Sequence, residues 1–75
     1  MKEGTKVIMT ADALENYGDK YNGVVLVITH VAHNQNEHPG YDMGVYPQGL
    51  YDLKIQETGE DLHFSLYDWE LVRVS

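Results

Sequence analysis

The sequence predicts a small, mostly β domain: a barrel of about five short strands with one short helical turn after the first. Three observations carry this expectation. The apolar runs are short and bounded by glycine, which favours strands over helices. The strongest of them, Val24 to Ala32, is β-branched almost throughout. Only Thr10 to Gly18 carries both a helix start signal and a helix stop signal.

Taken in order, the first strand is Lys6 to Thr10. The helical turn follows, with Thr10 as the capping hydroxyl and Gly18 at its end, long enough for about two turns. Alternation along Val24 to Ala32 places Val25, Val27 and Val31 on one face and Val24, Leu26, Ile28 and His30 on the other. A third strand runs from Leu50 to Gln56, and a turn at Thr58-Gly59 leads to a fourth, Leu62 to Leu66. A second short turn is expected at Leu66 to Trp69, with Trp69 anchoring the last strand, Leu71 to Val74. Closing such a sheet removes its exposed edges.

The opening Gly4 to Val7, the glycine at 23 before a β-branched strand, and Glu70-Leu71 near the end resemble the pattern of SH3-like barrels. The resemblance implies a single SH3-like β-barrel domain over residues 1–75. In such barrels the first loop, here flanked by Tyr17 and Tyr21, often helps to form the binding groove. Fold alone implies no particular activity.

Composition narrows the function. The chain has 75 residues, 43% of them hydrophobic, enough for one modest core with a thin stability margin. It contains no cysteine, which removes thiol catalysis, thiolate metal sites and disulfides, and which fits a reducing compartment. Met1 to Thr5 leads straight into the first apolar run without the apolar stretch of a signal peptide, and no segment approaches the roughly 20 apolar residues of a membrane span. A cytoplasmic protein with no membrane association is expected. A net charge of −7, from 12 acidic and 5 basic residues, argues against direct nucleic acid binding, since five scattered cations assemble no basic patch. The same acidity suits a soluble surface or a face that docks on a basic partner. Homo-oligomerisation is the remaining way for so small a chain to bury more surface.

The unusual segment is Ala32 to Gly49, longer than an ordinary connection and therefore a candidate binding loop. Its Pro39-Gly40 turn presents His38 and Tyr41 on either side of a bend. His30, His33 and His38 are weak metal candidates, because imidazole suits zinc but their spacing matches no metal motif. Neither Ser65 nor Ser75 lies in a nucleophile elbow, Glu60-Asp61 reads as a solvated turn, and no glycine-rich phosphate loop precedes a helix. No catalytic residue and no cofactor is assigned, and an enzyme is not expected. Six tyrosines in so short a chain suit interfaces and planar ligands. The candidate ligand- or partner-binding residues are Tyr17, Tyr21, His33, Asn34, His38, Tyr41, Asp42 and Tyr46.

The strings Ala13 to Gly18, His38 to Asp42, Leu50 to Leu53 and Phe64 to Leu71 are similar to those of short uncharacterised proteins encoded by bacteriophages and prophages. This resemblance implies a small accessory protein acting in the cytoplasm of an infected bacterium. The leading expectation is a non-enzymatic binding protein that inhibits or captures a host factor, as an anti-defence protein would. A second reading is an oligomer that sequesters a small nucleotide-like ligand: tyrosines stack the base, Asn34 or Asp42 hold the ribose, and histidines or Lys20 meet phosphate. A third is a structural or regulatory module of a larger assembly. A metal-dependent hydrolase built on the three histidines is the most remote.

Overall fold

A computed structural model describes residues 1–32 and 49–74, and the structural statements below concern those residues. Five strands occur: β1 (Lys6–Met9), β2 (Leu26–Ala32), β3 (Leu50–Ile55), β4 (Leu66–Tyr67) and β5 (Leu71–Arg73). The helix α1 (Ala11–Tyr17) and a 3-10 turn (Asp19–Tyr21) lie between β1 and β2, and a second 3-10 turn (Asp68–Glu70) joins β4 to β5. The sheet is antiparallel in the order β4-β3-β2-β1-β5. This is the mostly β, five-stranded arrangement expected from the sequence, with its helix after the first strand, and it is consistent with a small β-barrel-like fold. No helix among the described residues is long and apolar enough to cross a membrane.

The helix forms where its signals lie. Thr10 is extended and its hydroxyl accepts the Ala13 N–H at 3.2 Å, satisfying one of the orphan donors of the first turn. Gly18 closes the other end by donating its N–H to the Leu14 carbonyl at 2.8 Å. Ala13 is the fully buried helical position, so the helix presses onto the sheet through a small side chain.

Strand β2 departs from simple alternation. Leu26, Val27 and Ile28 pair with Ile55, Lys54 and Leu53; after a register shift between Ile28 and His30, His30, Val31 and Ala32 pair with Asp52, Tyr51 and Leu50. Thr29 is the extra residue, and its hydroxyl donates to the Asp52 carbonyl at 3.1 Å. A one-residue bulge moves every later side chain to the opposite face. Val31 therefore packs on the main core with Leu26 and Ile28, while Ala32 joins Leu50 and Tyr67 in a second cluster. The expected grouping of Val31 with Val25 and Val27 is corrected by this bulge, which a β-branched run does not reveal.

The fourth strand is also displaced from its expected place. Past the turn, Asp61 makes one bridge to Lys54 and the Leu62 N–H bonds to the Leu53 carbonyl at 2.9 Å. The chain then bends at His63-Phe64, and pairing resumes only at Leu66-Tyr67. Ser65 thus precedes β4, and the last strand ends at Arg73 instead of Val74.

Tyr51 is the largest fully buried side chain, only 2% exposed. Its hydroxyl donates to Asp68 Oδ1 at 2.8 Å and accepts from the Met1 amino group at 3.1 Å, so β3 is tied to the second 3-10 turn and to residue 1. Gly49 approaches this ring so closely that a Cβ there would lie 3.0 Å from the Tyr51 hydroxyl and 3.2 Å from the carbon bearing it. The ring is hydrogen-bonded and enclosed, and it has little room to retreat. Gly49→Ala is expected to cost about 1–3 kcal/mol by overpacking. Urea unfolding monitored by circular dichroism measures this, and an unchanged midpoint would show that the ring yields freely.

Candidate binding surface

The aromatic side chains form two packed groups. The Tyr17 ring stacks on Phe64, with centroids 4.2 Å apart and planes 2° from parallel. Tyr21, in the first 3-10 turn, meets the same Phe64 edge-on at 5.7 Å and 76°. The Lys20 Nζ lies 5.0 Å from the centre of the Tyr21 ring, within cation–π range. On the other side, Tyr67 and Trp69 stack at 6.4 Å with planes 5° apart. Ring pairs at these separations gain from their quadrupoles as well as from burial.

The Tyr17 hydroxyl is perturbed by its surroundings. It holds its proton more tightly than an ordinary tyrosine, first because of burial, then because of the nearby Glu70 carboxylate, then because of Tyr67. Glu70 is itself 3% exposed. Its Oε1 accepts the Tyr67 N–H at 2.9 Å, and its backbone carbonyl accepts the Thr10 N–H at 3.0 Å. A buried carboxylate with these bonds fixes the start of α1 and the Tyr67–Trp69 turn relative to each other.

The rings remain partly open to solvent. Tyr17, Tyr21, Phe64 and Tyr67 are half-buried and Trp69 is 49% exposed. Trp69, expected to anchor the last strand, is half in solvent and stacks on Tyr67, and Leu71 is the buried side chain there. Asp12, Glu15 and Asp19, all exposed, lie on the same helix and 3-10 turn that carry Tyr17 and Tyr21.

Of the residues singled out in the sequence, Tyr17 and Tyr21 are brought together through Phe64. His33, Asn34, His38, Tyr41, Asp42 and Tyr46 lie outside the described residues. So do two of the three weak metal candidates; the third, His30, is exposed on β2 beside Met1, Lys2 and Glu3. Among the described residues no group of three or more histidine and acidic side chains is arranged to hold a metal ion. Ser65 directs its hydroxyl hydrogen to Asp52 Oδ1, a carboxylate contact that orients the side chain against β3.

Comparison with protein-family models, curated proteins and solved structures returns no match.

The two perturbed tyrosines give a pH test. The Tyr51 hydroxyl is shifted far upward from its ordinary value near 10, by burial, by its hydrogen bond to Asp68 and by the charge of Asp68. The unfolded chain ionises its tyrosines near that ordinary value. The stability that these protonated hydroxyls contribute is thus complete below about pH 10 and is lost as pH rises from there through the folded values. Denaturant midpoints measured against pH are expected to fall above about pH 10, less steeply for Tyr51→Phe. Parallel declines in the two proteins would contradict the assignment to Tyr51.

Proposed function

We propose that this chain is a non-enzymatic binding protein whose partner docks on the Tyr21–Phe64–Tyr17 and Tyr67–Trp69 rings. The single observation behind this reading is that two stretches of chain, residues 17–21 and 64–69, set five partly exposed rings in two packed groups. Trp69, the most exposed of them, is kept half in solvent with its ring stacked on Tyr67. Aromatic side chains of this kind supply large contact area at low entropic cost and dominate binding energies at interfaces.

The partner is a basic protein surface. Carboxylates at Asp12, Glu15 and Asp19 and a net charge of −7 favour encounter with a positive face and repel acidic ones. The likeness of its strings to bacteriophage and prophage proteins supports a host bacterial factor as the target, bound so as to inhibit or capture it.

Affinity capture from bacterial lysate, followed by mass spectrometry of both proteins and small molecules, tests the reading. Recovery of a basic protein that is released by raising the salt concentration is the expected result. Recovery of neither a protein nor a metabolite would count against a binding role altogether.

A further inference from the structure

Asp52 sits where both neighbours of β3 leave regular pairing. On the β2 side, Leu53 pairs with Ile28 and Asp52 with His30, and Thr29 is the extra residue between them. On the other side, Lys54 stands opposite Asp61 and Tyr51 opposite Leu66, so residues 52–53 of β3 face residues 62–65 of the returning chain. The Leu62 N–H still bonds to the Leu53 carbonyl at 2.9 Å. The surplus is therefore taken up at His63-Phe64-Ser65, across from Asp52. Extra residues of this kind bend the chain at a sheet edge and re-aim its side chains.

The bend leaves a notch of about 440 Å3. Asp52 and Ser65 both line it, and the Ser65 hydroxyl donates to Asp52 Oδ1, which holds the carboxylate against the bent segment. Leu50 and Leu62 supply aliphatic wall. Two rings complete the lining: Phe64, which packs with Tyr17 and Tyr21, and Tyr67, which stacks on Trp69. One concavity is thus bordered by a ring from each aromatic group. Leu50 and Tyr67 are register partners, and Asp52 follows Leu50 by two residues, so the backbone sets all three on one face of the sheet.

Among the described residues that line the notch, Asp52 is the one acid and none is a lysine or arginine; the exposed His63 lines it as well. Asp52, Ser65 and Tyr67 each have a further interaction within the chain. A hydroxyl bond leaves the negative charge of a carboxylate in place, and the two carboxylate oxygens offer about four lone-pair sites. A cation can therefore add to the contacts already there.

We propose that this notch seats an arginine side chain of the docked partner, with its guanidinium on Asp52 and its alkyl stem against the leucines and the two rings. The seat rests on the reading of the rings as a docking surface for a basic protein. Arginine carries a planar cation that stacks on aromatic faces and donates hydrogen bonds from its edge, whereas a lysine ammonium is a compact point charge. The volume falls in the range of small-ligand sites, roughly 300–1,000 Å3. A carboxylate in a partly apolar recess also acts on a cation more strongly than the exposed carboxylates of α1, which salt screens.

The test is titration of the full chain with N-acetyl-arginine methylamide, followed by amide chemical shifts in nuclear magnetic resonance. The citrulline counterpart, a neutral molecule of nearly the same shape, is the control. Saturable shifts centred on residues 50–52 and 62–67 are expected, with a dissociation constant on the order of 1 mM at low salt. The citrulline compound should bind about tenfold more weakly, and so should the arginine compound to Asp52→Asn. The lysine counterpart should also be weaker, since an ammonium neither stacks nor forks. Well-dispersed spectra establish that the variant is folded, and the citrulline comparison needs no variant. Absence of saturation, equal binding of the citrulline or lysine compound, or unchanged affinity in folded Asp52→Asn would each overturn the proposal. A captured partner that depends on Trp69 but ignores Asp52→Asn would refute the arginine seat and leave the docking surface standing.

Discussion

Tyr51→Ala is expected to destabilise the domain by about 3–5 kcal/mol, enough to unfold most of a chain with so thin a margin. The substitution empties the volume of the largest fully buried side chain and strips Asp68 and the Met1 amino group of their shared partner. Tyr51→Phe separates these effects. It keeps the ring against Gly49 and removes only the hydroxyl, and its expected cost is about 1 kcal/mol. Urea denaturation of the two variants side by side provides the check. Equal losses would mean that the hydroxyl carries the effect and that the ring contributes little.

Trp69→Ala is expected to do the opposite. The indole is 49% exposed and leans on the Tyr67 ring, so stability should change by less than about 1 kcal/mol. Affinity for the captured partner should nevertheless fall by at least about 30-fold, the loss typical of an aromatic anchor at the centre of an interface. Val72 is equally exposed, at 49%, but lies on β5, where its strand partner is Ile8. Val72→Ser should leave that affinity within about twofold, so the pair of variants separates an aromatic anchor from general surface hydrophobicity. Similar losses in both would place the binding face elsewhere.

Much of the architecture is legible in the residues. The β-branched run from Val24 to Ala32, the capping Thr10 and the closing Gly18 lead to β2 and α1 nearly as they stand, because local preference and tertiary burial agree there. The misplaced fourth strand shows where they diverge. Leu62 to Leu66 carries a strand-like pattern, yet Phe64 is drawn out of line to stack beneath Tyr17, and the chain bends at His63-Phe64 to allow it. A contact between residues so distant in sequence leaves no local mark. The bulge at Thr29 is hidden for a different reason: valine, isoleucine and threonine suit either face of a strand, so a change of face within such a run costs the pattern nothing.

The candidate sites divide in the same way. Tyr17 and Tyr21 stand out as loop tyrosines, and the structure unites them. Phe64 and Trp69 lie in stretches that read as a strand and a short turn, although the aromatic spacing of Phe64, Tyr67 and Trp69 is itself a signal.

Trp69 is the only tryptophan in the chain, and its emission reports directly on the proposed surface. The decisive measurement is its fluorescence, and its quenching by acrylamide, before and after saturation with the captured partner. Docking on the rings predicts a blue shift and a marked fall in quenching as the half-exposed indole leaves water. A partner that binds to saturation while Trp69 emission and quenching stay unchanged would contradict the account.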